Sequence, residues 1–158
     1  MAKTVKSLLN ELTKRLKSIK AKDIMTQYVI TTTENTHLAD IAELMIKARV
    51  SGLPVMGKKG KIAGMITATD LFIMVDMIKS GDVTENGLMT TSNPTVKYAM
   101  STEINKIKKN ATLDEIIATM KYKNVHTLPV FDGGKMIGII GRRDVFKNFY
   151  AIVKELYG

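Results

Sequence analysis

Val50-Ser51-Gly52-Leu53-Pro54-Val55, followed by Gly64-Met65-Ile66-Thr67-Ala68-Thr69-Asp70, occurs twice in this chain, and every other feature arranges itself around that duplication. The second copy reads Val125-His126-Thr127-Leu128-Pro129-Val130, then Gly138-Ile139-Ile140-Gly141-Arg142-Arg143-Asp144. In both directions the match continues, over residues 23–72 and 98–146, at an offset of 75 that becomes 74 after one hairpin. Met25 falls on Met100, Asn35 on Asn110, Leu38 on Leu113, Ile41 on Ile116 and Met45 on Met120. Two copies at so long a period exclude a solenoid and predict a two-fold pair.

Within each copy the local signals run strand, helix, strand, strand, helix, which is an α+β pattern. Residues 28–31 and 104–108 are short β-prone runs, read as first strands. Apolar residues at helical spacing follow: Leu38, Ile41, Ala42 and Met45 in one copy, Leu113, Ile116, Ile117 and Met120 in the other. Thr112 and Glu115 form a capping box for the second of these helices. Residues 53–56 and 61–66 flank Gly57-Lys58-Lys59-Gly60, residues 128–131 and 135–140 flank Asp132-Gly133-Gly134, and both pairs read as hairpins. A helix opened by Asp70 or Asp144 closes each copy, its carboxylate meeting the positive end of the helix dipole.

Outside the copies, Val5, Leu9, Leu12, Leu16 and Ile19 are spaced four, three, four and three residues apart. That heptad stripe predicts an amphipathic helix over residues 1–20, too short for a free coiled coil and so docked on the module or on a partner chain. The first repeat then spans 21–80 and the second 96–158. Residues 81–95, with Gly87 and Asn93-Pro94, form the linker.

The chain has 158 residues, 45% of them apolar, the composition of a globular protein. No run of about eighteen apolar residues occurs, and Met1-Ala2-Lys3-Thr4 lacks the features of a secretory signal, so a cytoplasmic location is expected. With no cysteine and only His37 and His126 as imidazoles, no metal site is expected. His37, at a helix start, reads as a capping or surface residue, and Met45, Met74 and Met120 as core. The formal charge of +9 is uneven: residues 1–22 carry seven Lys and Arg against Glu11 alone, and the rest carries seventeen against fourteen acids. Such a bias suits nucleic acid, an anionic membrane or a polyanionic ligand, although a solvated helix face accounts for it as well. No catalytic constellation presents itself, and no enzyme is expected.

The ordered set Leu-Pro-Val, hairpin, Gly-x-x-Thr-x-x-Asp, duplicated at one spacing, resembles the CBS domain signature over about residues 20–150. The resemblance is to a CBS pair, or Bateman module, of the small stand-alone kind. It implies two tandem βαββα repeats related by pseudo-two-fold symmetry, whose sheets pack together and leave two clefts for adenosine-containing ligands such as AMP, ADP, ATP or S-adenosylmethionine. In one cleft Gly64 would let the strand approach, Thr67 and the N–H groups of the following helix start would take a phosphate oxygen, and Asp70 would accept the ribose hydroxyls. Adenine would lie near Val29 and Ile30 and near Val50 and Ser51, just before Pro54. The other cleft is implied at Ile104, Val125, His126, Pro129, Arg142, Arg143 and Asp144. There Gly141 replaces the hydroxyl residue, two arginines follow, and His126 resembles a phosphate-touching histidine of the family, so a phosphate-bearing ligand is expected. Capping alone is the competing role for Thr67 and Asp70.

The function implied is a regulatory module that senses an adenosine ligand, needs no cofactor, and signals to an effector protein that the sequence does not identify. A homodimer is expected, because Leu71, Phe72, Met74, Val75 and Ile78 nearly surround one helix, and Val145, Phe146, Phe149, Ile152, Val153 and Leu156 another. The alternative is a basic adaptor that binds nucleic acid or an anionic surface through Lys3, Lys6, Lys14, Arg15, Lys17, Lys20 and Lys22. Nucleic acid is the less favoured partner, and no membrane partner is expected.

Overall fold

The computed structural model describes residues 4–81 and 93–158. Helix α1 (Val5–Ser18) and a short α2 (Ala21–Ile24) precede β1 (Thr32–Thr33), α3 (Leu38–Ala48), β2 (Gly52–Met56), β3 (Ile62–Thr67) and α4 (Ala68–Ser80). The second set is β4 (Ile107–Lys108), α5 (Leu113–Lys123), β5 (Thr127–Asp132), β6 (Lys135–Gly141) and α6 (Arg142–Tyr157). Most of the linker, residues 82–92 with Gly87, lies outside the described residues, as do Met1, Ala2 and Lys3.

Each repeat builds a three-stranded sheet whose middle strand runs parallel to the first and antiparallel to the third. The registers are the same: Thr32 lies opposite Val55 as Ile107 lies opposite Val130, and Gly52 opposite Thr67 as Thr127 opposite Gly141. The first strands are shorter than the sequence suggests. Residues 28–31 are not a strand, and of residues 104–108 only Ile107–Lys108 is one. Pairing begins one residue after Pro54 and one after Pro129, and a proline offers no N–H with which a longer ladder could continue.

The chain divides into two compact units that do not coincide with the repeats. A terminal unit joins Met1–Val29 to Asn105–Gly158, and a central unit is Ile30–Ile104. The repeats have thus exchanged their leading segments. In the terminal unit Thr26 pairs with Ile139 of β6 through N–H···O bonds of 2.9 and 3.0 Å. In the central unit Ser101 pairs with Met65 of β3 through two of 2.9 Å. Glycine leaves room for each bridge: a Cβ on Gly64 would collide with the Ser101 carbonyl oxygen, and one on Gly138 with the Met25 side chain. Gly64 therefore admits the chain's own returning segment.

Two apolar cores follow from this arrangement. The central unit buries Leu38, Ile41, Met45, Leu53, Val55, Ile66, Met74 and Val96. The terminal unit buries Ala21, Ile107, Leu113, Ile116, Leu128, Val130, Ile140, Val145 and Ile152. Leu12, Leu16 and Ile19 pack against the second core, so the C-terminal part of the heptad stripe docks within its own unit, on α5 and α6, while Val5 and Leu9 are exposed. Thr4 caps α1 by accepting from the Ser7 N–H, and Arg15 fixes the helix to α6 with two bonds to Glu155, of 2.7 and 2.6 Å. The end of the linker caps α3: the Leu38 N–H donates to the Pro94 carbonyl and the Ala39 N–H to Asn93 Oδ1. His37 occupies the N-cap of α3, where its Nδ1 bonds the Asn93 carbonyl at 2.8 Å.

Candidate functional site

The starts of α4 and α6 stand at equivalent places, each at the end of a hairpin and beside the loop that leaves the preceding helix. Left-handed Arg49 and Asn124 end α3 and α5 and turn the chain toward β2 and β5. In the central unit the Ser51 carbonyl accepts the Ala68 N–H; in the terminal unit the His126 carbonyl accepts the Arg142 N–H, both at 2.9 Å. These bonds bring Ser51 to the start of α4 and His126 to the start of α6.

The two helix starts then differ. In α4 the N-cap is Thr67, and Asp70 is the third helical residue rather than the first. The Thr67 N–H and hydroxyl both donate to Asp70 Oδ2 at 2.8 Å, and the Asp70 N–H returns a bond of 3.3 Å to Thr67 Oγ1. With Ala68 bonded to Ser51, the first-turn N–H groups read as phosphate donors are largely consumed, and that of Thr69 alone is left. Capping is thus a demonstrated role of Thr67 and Asp70. The second oxygen of Asp70 makes no bond among the described residues, and the side chain is half-buried.

In α6 the N-cap is Gly141, whose N–H donates to Asp144 Oδ2 at 2.9 Å, but no side chain returns the bond. The N–H groups of Arg143 and Asp144 are consequently open at the positive end of a 16-residue helix. Arg142 and Arg143 are exposed and have no acidic partner among the described residues, and His126 is exposed beside them. His126, Arg142 and Lys121 line one end of a groove of about 410 Å³ whose walls are Ile117, Met120, Val145, Phe146 and Phe149. Lys121 was not singled out in the sequence; its signal was its place in the last turn of α5, five residues before His126.

The remaining expected positions are divided between the units. Ile30, Val50, Ser51, Pro54 and Ile104 accompany Thr67 and Asp70, whereas Val29, Val125, Pro129 and His126 accompany Asp144. Val29 thus lies in the unit of Asp144 and Ile104 in that of Asp70, because the leading segments are exchanged. Ile30 and Val50 pack against the central core and Val125 against the terminal one. Pro54 and Pro129 are buried in the middle strands and present no side-chain surface to a ligand. Among the described residues no cluster of three His, Asp or Glu could hold a metal, and no helix is long and apolar enough to cross a membrane.

Comparison with known proteins agrees with this architecture. An uncharacterized protein of Methanocaldococcus jannaschii is 26% identical over 90% of this chain and 98% of its own length. A methylated protein of the same organism is 33% identical, covering 90% of this chain and 81% of that protein. Among solved structures, a CBS domain pair in complex with 5'-methylthioadenosine and S-adenosyl-L-methionine superposes with a TM-score of 0.71 at 22% identity, covering 84% of this chain and 97% of the other. CBSX2 in complex with AMP superposes at 0.66 and 24% identity, covering 84% and 97%. The CBS domain profile matches twice, over residues 21–75 and 95–151, and the chain belongs to the CBS domain family as a tandem pair.

Proposed function

We propose that this protein is a regulatory module that binds an adenosine-containing ligand and reports its presence to an effector protein. The observation that carries the reading is the pair of equivalent helix starts, each presenting an aspartate at its third position, Asp70 and Asp144, with one carboxylate oxygen spent on the helix and the other available. An available carboxylate oxygen suits ribose hydroxyls as donors. At α6 the open N–H groups with Arg142, Arg143 and His126 suit phosphate, so AMP, ADP or ATP is the ligand class assigned to Asp144. At α4, where the capping box uses up the donors, a ligand with less phosphate, such as S-adenosylmethionine, is the better match. Solved relatives that hold AMP, 5'-methylthioadenosine and S-adenosyl-L-methionine support the class. The module works without catalysis, cofactor or metal, and in the cytoplasm.

Calorimetric titration with AMP, ADP, ATP and S-adenosylmethionine tests it. Asp144→Ala should remove binding of the phosphate-bearing ligands and spare the other site, and Asp70→Ala should do the reverse. If both folded variants bind all four ligands as the parent does, the aspartates only cap their helices.

The same reading includes a homodimer. Phe72, Ile73 and Val75 on α4 are 72%, 55% and 54% exposed, and Phe146 on α6 is 62% exposed, although α1 already covers one side of α6. Apolar surface of this extent calls for a partner, and a second copy offers the same surface. Light scattering at micromolar concentration should give about twice the 17.5 kDa chain mass; the single-chain mass would exclude a stable dimer.

A further inference from the structure

Charge separates the two units more sharply than any other property. The terminal unit holds seventeen Lys and Arg against seven Asp and Glu, and the central unit seven against eight. All of the chain's net positive charge therefore resides in one unit. The central unit acts as an internal control on what the fold needs. Its sheet has the same register, with Thr31, Thr33 and Glu34 where the terminal unit has Lys106, Lys108 and Lys109. Those lysines are not required to build the sheet.

They are also not scattered. Ile107 is buried while Lys106 and Lys108 are exposed on either side of it, as alternation along an extended chain dictates. Lys106, Lys108 and Lys109 line a pocket of about 560 Å³ closed by Asn110, Phe131, Asp132 and Gly133. The Lys22 N–H donates to the Lys109 carbonyl at 2.9 Å, and Lys20 Nζ to the Lys17 carbonyl at 3.4 Å. These contacts place Lys17, Lys20 and Lys22 beside the segment that bears Lys109, Lys108 and Lys106, and the six form one lysine tract. The acids beside it are engaged: Asp23 accepts the Lys20 N–H, Glu115 the Thr112 N–H, and Asp132 pairs with Lys109 at 2.8 Å. Lys22, Lys106 and Lys108 have no acidic partner among the described residues. The pocket lies at the hairpin end of β5, about 16 Å along the strand from the residue that pairs with Gly141, so it is not the site at the start of α6.

We propose that this lysine tract binds the backbone of single-stranded nucleic acid. A row of point charges longer than one phosphate suits a polyanion, and counterion release supplies the affinity. The pocket accepts a splayed nucleotide, which a duplex would keep stacked. A lipid surface fits less well, because Leu12, Leu16 and Ile19, the part of the α1 stripe beside Lys17, are packed against the core, which leaves Val5 and Leu9 of it exposed. The proposal does not depend on the adenosine reading.

Fluorescence anisotropy with an oligothymidylate about twenty nucleotides long, in about 0.15 M salt, provides the test. The parent protein should bind with a logarithmic salt slope of about −2 or steeper, the value for three phosphates on a single strand. Replacing Lys22 by Gln and Lys106 and Lys108 by Thr should weaken binding about tenfold or more, while leaving the melting temperature and adenosine-ligand titrations unchanged. A variant of equal charge in the central unit, with Lys58, Lys61 and Lys97 all changed to Gln, should bind as the parent does. Equal losses in the two variants would reduce the effect to net charge and overturn the assignment. So would no binding by the parent, or tighter binding to vesicles containing anionic phospholipid than to the oligonucleotide.

Discussion

The terminal and central units share a topology and a register, yet they finish the same design differently. At the start of its last helix the central unit has Thr67, which completes a capping box with Asp70; the terminal unit has Gly141, which leaves two N–H groups open. The central unit accepts its returning segment against backbone at Gly64, the terminal unit against a methionine side chain at Gly138. Only the terminal unit carries α1, and only it is basic. Duplication fixed what the sheets require, and the copies differ at the helix starts, at the glycine bridges, in α1 and in surface charge. A chain that contains its own control makes such differences interpretable without any other sequence.

The largest expected divergence is at the two glycines. Gly64→Ala should cost about 3 kcal/mol, because the new methyl meets a carbonyl oxygen held in a two-bond bridge; Gly138→Ala should cost about 1–2 kcal/mol, because the Met25 side chain can move aside. Urea midpoints measure both, and equal costs would mean that the two bridges are alike in stiffness. A smaller effect of opposite sign is expected at the helix starts. Gly141 has extended backbone angles that threonine adopts freely, and an added Cβ meets nothing closer than Asp144 Oδ2 at 3.6 Å. Gly141→Thr should therefore stabilise the protein by about 0.5 kcal/mol. It should also weaken AMP binding by closing the open donors; tighter binding would assign the hydroxyl, not the open N–H groups, to phosphate.

The smallest effect concerns the attachment of α1. The hydrogen bond from Arg15 holds the Glu155 carboxyl below its ordinary value, against the opposing effect of burial, and the same bond raises Arg15. A carboxyl depressed in the folded state contributes stability above its unfolded pKa of about 4.3 and loses it as pH falls through the lower folded value. Amide exchange in α1 should accordingly quicken in acid relative to that in α3, and Glu155→Gln should abolish this dependence while altering exchange at neutral pH only slightly. An unchanged acid response in the variant would place the linkage elsewhere.

The sequence by itself determined the duplication, the helices α1, α3, α4, α5 and α6 and both hairpins, because local periodicity and turn chemistry are properties of neighbouring residues. It also placed Thr67, Asp70 and Asp144 at helix starts, since the motif spacing carries that information. What it did not contain was the partner of each leading segment. Residues 28–31 look like a strand because they are apolar and β-branched, but whether they pair depends on a proline some twenty-five residues away and on where the chain crosses from one unit to the other. For the same reason the sequence did not show that Val29 shares a unit with Asp144 and Ile104 with Asp70. The docking of α1 on α5 and α6, and the gathering of six lysines from in and around α1, α2 and β4, were likewise decided only by tertiary structure: contacts between residues far apart in the chain follow from which apolar faces find each other, and no local pattern records that.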